Sequence, residues 1–213
     1  MMKNKQEYGS GRVEGFTLIE SLVVIAITVT LLGSLIFYSR GGQNQVTFFK
    51  EEATLSGALL QARSFALDAF QPTLQPPLGD TISLPTTERV CGWGIHVEPP
   101  NRYILFRDLG STDPAIGCSI ADKRYTSDVE AFQIFEVTSP LFISCVSLSG
   151  FDGICNTEAR DVLFTPPAPK VSFATPTLID PPNVSDLKIT LTLPAENQSG
   201  IITVSKGGSV NVD

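Results

Sequence analysis

From Leu22 to Tyr38 the chain reads LVVIAITVTLLGSLIFY, without a single charged residue. A helix starting at Phe16 has 23 residues to Tyr38. At about 1.5 Å per residue it is roughly 35 Å long, enough to cross a hydrocarbon core of about 30 Å. Eleven Leu, Ile, Val or Phe residues lie between Leu22 and Phe37, and at about −0.3 to −0.6 kcal/mol each they favour insertion by a few kcal/mol. No later segment has this character, so the pattern predicts a single membrane helix over 16–38. After it, Gly41-Gly42 costs about 1 kcal/mol per glycine relative to alanine, which predicts a bend or local melting. Apolar residues then recur at spacings of three and four: Leu55, Ala58, Leu59, Ala62, Phe65, Ala66, Ala69 and Phe70. Glu51, Glu52, Arg63 and Asp68 are expected on the other faces. The stripe predicts an amphipathic helical extension over 39–70, packed on a globular head. The stretch from Gln71 to Asp80, with Pro76-Pro77 and Gly79, is expected to end it.

From Thr81 onward the period shortens to two and turn residues become frequent, so residues 71–213 are expected to form a β-rich, antiparallel head. Trp93 to Val97 and Arg102 to Phe106, joined by Glu98-Pro99-Pro100-Asn101, read as a hairpin. Further strands are expected at Ala131 to Val137, Leu141 to Ser147, Asp161 to Phe164, Leu187 to Leu193, Ile201 to Ser205 and Ser209 to Val212. Thr165 to Pro182 carries six prolines, too many for a central strand, and reads as a surface crossover or an edge. The fold class expected is α+β, with a long N-terminal helix packed on this head.

The length of 213 residues allows one ordinary domain plus an appendage, or at most two small domains. Charged residues make up 17%, below the roughly 25% usual for soluble domains. The 42% apolar content and 13 Phe supply a core, so disorder is excluded as the main state. The balance of 15 Lys+Arg against 22 Asp+Glu is acidic. No basic run follows a phosphate backbone, and nucleic acid is not the expected partner.

The segment ahead of the apolar run changes the picture most. A polar leader holding Lys3, Lys5 and Arg12 ends at Gly15, followed by Phe16-Thr17-Leu18-Ile19-Glu20 and the apolar helix. A cleaved secretory signal would have a shorter apolar core and a small-x-small site behind it, whereas YSRGGQ follows here. Thr17 to Glu20 also fits the capping box [ST]-x-x-[DE]. That pattern explains neither the Gly-Phe junction nor a carboxylate in a segment that should avoid charge. Position by position, Gly15 to Glu20 resembles the N-terminus of type IV prepilins and pseudopilins. The resemblance implies a leader over 1–15, cleavage between Gly15 and Phe16 by a membrane-embedded prepilin peptidase, and N-methylation of Phe16. It further implies an assembly role for Glu20. The leader is somewhat long for this group, and no proline interrupts the helix as one does in many major pilins. Anchor, amphipathic extension and β-rich head together resemble the GspH/FimT branch of minor pilins and pseudopilins. VLFTPPAPKVSF and GIITVSKGGSVNVD look similar to late strands of that branch, over short pieces of the head.

All four cysteines, Cys91, Cys118, Cys145 and Cys155, lie in the head, which suits an oxidising compartment. Three pairings are possible. The shortest loops join Cys91 to Cys118 and Cys145 to Cys155, each contributing about 3 kcal/mol in the chain-entropy model, with Phe151-Asp152-Gly153 as a turn in the second. Four buried free thiols are the alternative. No C-x-x-C pair exists and His96 is the only histidine, so zinc is not expected. Calcium suits an acidic head chemically, but no D-x-D-x-D series marks a site, and no metal or cofactor is predicted. His96 is expected on the solvent face of a strand. Glu88 and Glu98, or Asp122 and Asp128, read as solvated charges. With no G-x-S-x-G, H-E-x-x-H, P-loop or G-x-G-x-x-G, an enzyme is not expected.

The leading functional expectation is a structural subunit of a type II secretion pseudopilus or a type IV pilus. Its expected partners are other pilin or pseudopilin subunits, the prepilin peptidase, an inner-membrane assembly platform and the membrane itself. The expected location is the inner membrane, with the head in the periplasm or outside the cell. One alternative is a DNA-binding minor pilin in natural transformation. It predicts clustered cations near the C-terminus, where only Lys188 and Lys206 face Asp180, Asp186, Glu196 and Asp213. The other is a signal-anchored periplasmic protein in which the Gly-Phe junction is coincidental.

Overall fold

The structure, a computed structural model, describes residues 17–68, 88–113, 115–150, 155, 157–158, 160–167 and 170–213, the side chains of 36–41 excepted. The expected leader over 1–15, Phe16, the end of the apolar stripe at Ala69 and Phe70, the terminator from Gln71 to Asp80 and the turn at Phe151-Asp152-Gly153 lie outside these residues. The fold is α+β, with an N-terminal helix, α1 (Leu18–Leu67), followed by antiparallel sheets. The chain divides into two compact units, one ending at Asn44 and the other running from Gln45 to Asp213. The pair Gly41-Gly42 falls inside α1, so the local melting expected there is not observed.

In the first unit, Leu18–Leu35 has a mean hydropathy of 2.2, and none of it is buried within the protein. Its hydroxyls are nonetheless satisfied. Thr28, Thr30 and Ser34 donate to the carbonyls of Val24, Ala26 and Leu31 at 2.7, 2.6 and 2.8 Å. Hydrogen bonds closed within the helix are what a segment needs where no water can supply partners.

In the second unit, the α1 residues Phe48, Leu55, Ala58, Leu59, Ala62 and Ala66 are buried, and Phe65 packs its ring on Trp93 at 4.8 Å. The stripe is wider than its apolar residues suggest, because Glu51 and Glu52 are buried as well, at 7% and 9% exposure. The expectation that both carboxylates occupy outer faces is therefore corrected. Glu51 accepts a hydrogen bond from the Thr138 hydroxyl at 2.7 Å. Glu52 lies against Gly200, where any Cβ would collide with its Oε1.

The strands are β1 (Glu88–Glu98), β2 (Arg102–Ser111), β3 (Ala131–Glu136), β4 (Phe142–Ser149), β5 (Arg160–Thr165), β6 (Lys170–Ala174), β7 (Asp186–Leu193), β8 (Gln198–Ser205) and β9 (Val210–Val212). They form a five-stranded sheet in the order β3-β2-β1-β5-β6 and a four-stranded sheet in the order β4-β7-β8-β9. The predicted hairpin is β1-β2, with Val97 opposite Tyr103. β7 shows why alternation was readable: Leu187, Ile189, Leu191 and Leu193 are buried while Lys188 between them is exposed. Strand β6 lies within the proline-rich stretch as the edge of its sheet, the position where proline is tolerated. Pro166 and Pro167 occupy the turn that precedes it.

One core joins the helix stripe to inner-face residues of both sheets, among them Trp93, Val162 and Phe173 from one and Val146, Ile189 and Val204 from the other. A second, smaller core lies on the opposite face of the five-stranded sheet: Ile104, Phe106 and Leu163, with Tyr125 and Ala131 against them. It forms because the chain between β2 and β3 folds back over that face. Gly94 is required beneath it, since a Cβ there would sit 2.6 Å from Cε1 of Phe106.

Candidate functional site

Two regions carry polar chemistry that packing alone does not explain, one at the start of α1 and one on the β2-β3 excursion. At the start of α1, Thr17 precedes the first helical residue, and its hydroxyl accepts the backbone N–H of Glu20 at 3.3 Å. Its carbonyl accepts the N–H groups of Glu20 and Ser21 at 3.1 and 3.2 Å. Half of a capping box is therefore present, with Thr17 as the cap and Glu20 at the third helical position. The reciprocal half is not: among the described residues the Glu20 carboxylate has no hydrogen bond or ion pair. Eleven large apolar side chains from Leu18 to Leu35 are exposed around it. Gly15 and Phe16, the expected cleavage and methylation positions, lie outside the described residues.

The cysteines form two bridges, Cys91–Cys118 and Cys145–Cys155, which are the shortest-loop pairs. Cys91–Cys118 fastens the β2-β3 excursion to strand β1. Further along the excursion, the Tyr125 ring packs over His96, with centroids 4.8 Å apart, and the Tyr125 hydroxyl donates to Asp128 at 2.7 Å. His96 places Nδ1 2.6 Å from Asp161 Oδ1 on the neighbouring strand β5. The expectation of a solvent-facing histidine is corrected, because the excursion covers that face and leaves the His96 side chain 14% exposed. Glu98 pairs with Arg102 across the hairpin turn, and Arg102 Nε donates to it at 2.7 Å.

Asp122 and Asp128, read from the sequence as solvated loop charges, part company. Asp128 serves Tyr125, while Asp122 joins Asp108 of β2 and Glu130, the residue before β3, with one carboxylate oxygen of each within 4.8 Å of the others. Glu130 Oε2 accepts the Thr126 N–H at 2.7 Å, the Thr126 hydroxyl at 3.0 Å and the Ser127 N–H at 3.4 Å. Burial pushes the Asp108 carboxyl up to about 7, with the nearby Asp122 charge adding to it. Burial likewise raises the Glu130 carboxyl above its ordinary value, against the hydrogen bonds from Thr126. Asp108 also lines a cleft of about 300 Å³ with Arg89, Cys118, Ala121, Lys123 and Pro166. The three acids are 14 and 8 residues apart in sequence, so no local motif announces them. The β2-β3 pairing, the Cys91–Cys118 bridge and the Lys123 N–H on Asp108 Oδ1 at 3.4 Å hold the segments that carry them together. Near the C-terminus, Lys206 pairs with Asp180 at 3.6 Å, so one of the two cations there is already engaged.

No family model, curated protein or solved structure matches this chain.

Proposed function

We propose that the chain is a structural subunit, a minor pilin or pseudopilin, that works by polymerisation through the start of α1. The observation that carries this reading is the pairing of two features in one segment. Leu18–Leu35 is apolar and unburied, yet its first turn holds the carboxylate of Glu20 with no partner among the described residues. A charge at the centre of a membrane helix costs about 2.5 kcal/mol or more, and less near an end. Such a residue is kept for a partner. On this reading, cleavage after Gly15 creates a positive amino group at Phe16, and Glu20 pairs with it on the same or an adjacent subunit during assembly. The motif Gly15 to Glu20 supports the prepilin peptidase and N-methylation as the processing route. The apolar helix fits a membrane anchor and the two bridges fit a head outside the cytoplasm. From this we infer an inner-membrane protein whose head is periplasmic until it enters a pilus or pseudopilus, with the assembly platform and other subunits as partners. The single helix is then long enough in both its parts to serve as anchor and as support for the head.

Glu20→Gln tests the reading, since glutamine preserves a capping box but not a charge. Removing one partner of a buried charge pair costs about 2 to 5 kcal/mol. Incorporation into the fibre is therefore expected to fall at least about tenfold, with membrane insertion and processing retained. Incorporation at wild-type abundance would remove the charge-pairing argument and leave Glu20 as a helix cap.

A further inference from the structure

We propose that the open edge of β3 takes up an extended segment of a partner protein as an added strand, and that Lys or Arg residues flank this segment. This holds independently of the assembly reading, because it rests on the sheet alone.

An edge strand presents unpaired N–H and C=O groups, and natural sheets ordinarily shorten, cover or charge such edges. The outer strands of the two sheets are β3, β6, β4 and β9. The edge of β6 is covered by the chain that follows it. Ile179 bridges to Ala174, the Asp180 N–H donates to the Phe173 carbonyl at 2.7 Å, and Asp180 Oδ1 accepts the Phe173 N–H at 3.2 Å. The Cys145–Cys155 bridge ties the segment after β4 to that strand, and β9 is short, spanning Val210–Val212. β3 has none of these protections. Among the described residues nothing pairs with its outer edge. It holds neither Lys nor Pro, and although Ala131, Phe132, Ile134 and Phe135 are apolar, none of its residues is buried.

The start of β3 is bent by the register shift between Leu105 and Phe106, so its regular stretch runs from Gln133 to Glu136. Just beyond it, the Val137 N–H donates to the Asn101 carbonyl at 2.7 Å. Bonded pairs alternate along an antiparallel ladder, so Phe135 bonds to β2 while Ile134 and Glu136 turn their N–H and C=O groups outward. An added strand would satisfy these groups and cover side chains on both faces. Ile134, 39% exposed, lies opposite Ile104 on the side of the smaller core; Phe132 and Phe135 pack, half-buried, against the main core.

Charge selects the occupant. The Glu136 carboxylate is exposed and has no partner among the described residues, since Arg102 opposite it is paired with Glu98. Asp128 is a second exposed carboxylate, ahead of the strand. Antiparallel pairing of β3 with the β3 of a second copy would set Glu136 of each beside the acidic start of the other. Such like-charge contacts are unfavourable, the more so in a chain with a net charge of −7. A short apolar run with Lys or Arg on either side meets both ends of β3 instead. In strand addition of this kind, main-chain bonds supply affinity and side chains supply selectivity.

The test is fluorescence anisotropy of a labelled short peptide, alternating valine and threonine with a lysine at each end, titrated with the full chain in non-ionic detergent. Saturable binding is expected, at least about twofold tighter than for the same peptide with glutamates at its ends, on the scale of exposed ion pairs. Ile134→Pro removes an outward N–H and leaves the β2 ladder its bonds, because proline is accepted on the open side of an edge strand. With the fold checked by circular dichroism, it should weaken binding at least about tenfold through the lost main-chain pairing. Glu136→Lys leaves the backbone edge intact and should reverse the preference between the two peptides. No saturable binding of the lysine-ended peptide up to about 0.5 mM protein would overturn the proposal, as would a Kd unchanged in Ile134→Pro or a preference unmoved by Glu136→Lys. Concentration-dependent self-association of the full chain that Ile134→Pro abolishes would also overturn it, by giving the edge to a second copy.

Discussion

Replacing Tyr103 with phenylalanine should make the head more stable. Tyr103 is 1% exposed, and its ring stacks on Phe135 with centroids 4.8 Å apart and planes 10° from parallel. Its hydroxyl oxygen is buried without a hydrogen-bond partner. Burial, with the Glu51 charge adding to it, pushes the phenol well above its ordinary value, so it stays a neutral donor with nothing to donate to. An unsatisfied buried hydroxyl costs about 1 to 3 kcal/mol, while the stacked ring is the same in phenylalanine. Tyr103→Phe is therefore expected to stabilise by about 1 to 2 kcal/mol. For a unit of 169 residues, Gln45 to Asp213, this is a rise in Tm of about 2 to 4 °C per kcal/mol. The assay is thermal and urea unfolding of residues 45–213, expressed in an oxidising compartment, with the m-value compared to show that the unfolded state is unchanged. Equal or lower stability of the variant would refute the reasoning, because it would mean that the hydroxyl has a partner that stabilises it.

The same fragment is expected to be soluble and β-rich, with no free thiol on labelling; an unfolded fragment would place the boundary wrongly. Cys91–Cys118 closes a longer loop than Cys145–Cys155, with sequence separations of 27 and 10. In the chain-entropy model their removal costs about 3.6 and 2.8 kcal/mol respectively, so the first Cys-to-Ser pair should lower the urea midpoint more than the second. Burial holds the Glu52 carboxyl above its ordinary value of 4.5, so the folded state binds that proton more tightly than the unfolded chain does. The resulting loss of stability is absent below the ordinary value and grows as pH rises through the raised one. Glu52→Gln should accordingly be more stable than the wild type at pH 8, with the advantage gone near pH 4; an advantage independent of pH would refute this.

What was readable in the sequence depended on how local the cause was. The apolar run from Leu22 needs no tertiary information, since absence of charge over that length is itself the signal. Strand β7 was readable because its alternation reports one wet and one dry face. Strand β6 was obscured by the surrounding prolines, and its place at a sheet edge reconciles the two. Charge alone puts Glu51 and Glu52 on outer faces, and nothing local says that Thr138 and Gly200 make room for them. Alternation along its strand puts His96 on a solvent face, while the ring that covers it comes from Tyr125, 29 residues further along the chain. The acidic cluster is the least legible feature, being assembled from the interior of β2, a loop and the residue that precedes β3.

Intact-mass measurement of the protein extracted from membranes of its native host tests the structural-subunit reading most directly. That reading predicts a chain that begins at Phe16 and carries one additional methyl group, with the mass deficit of two bridges. A chain still beginning at Met1 or Met2 would contradict it.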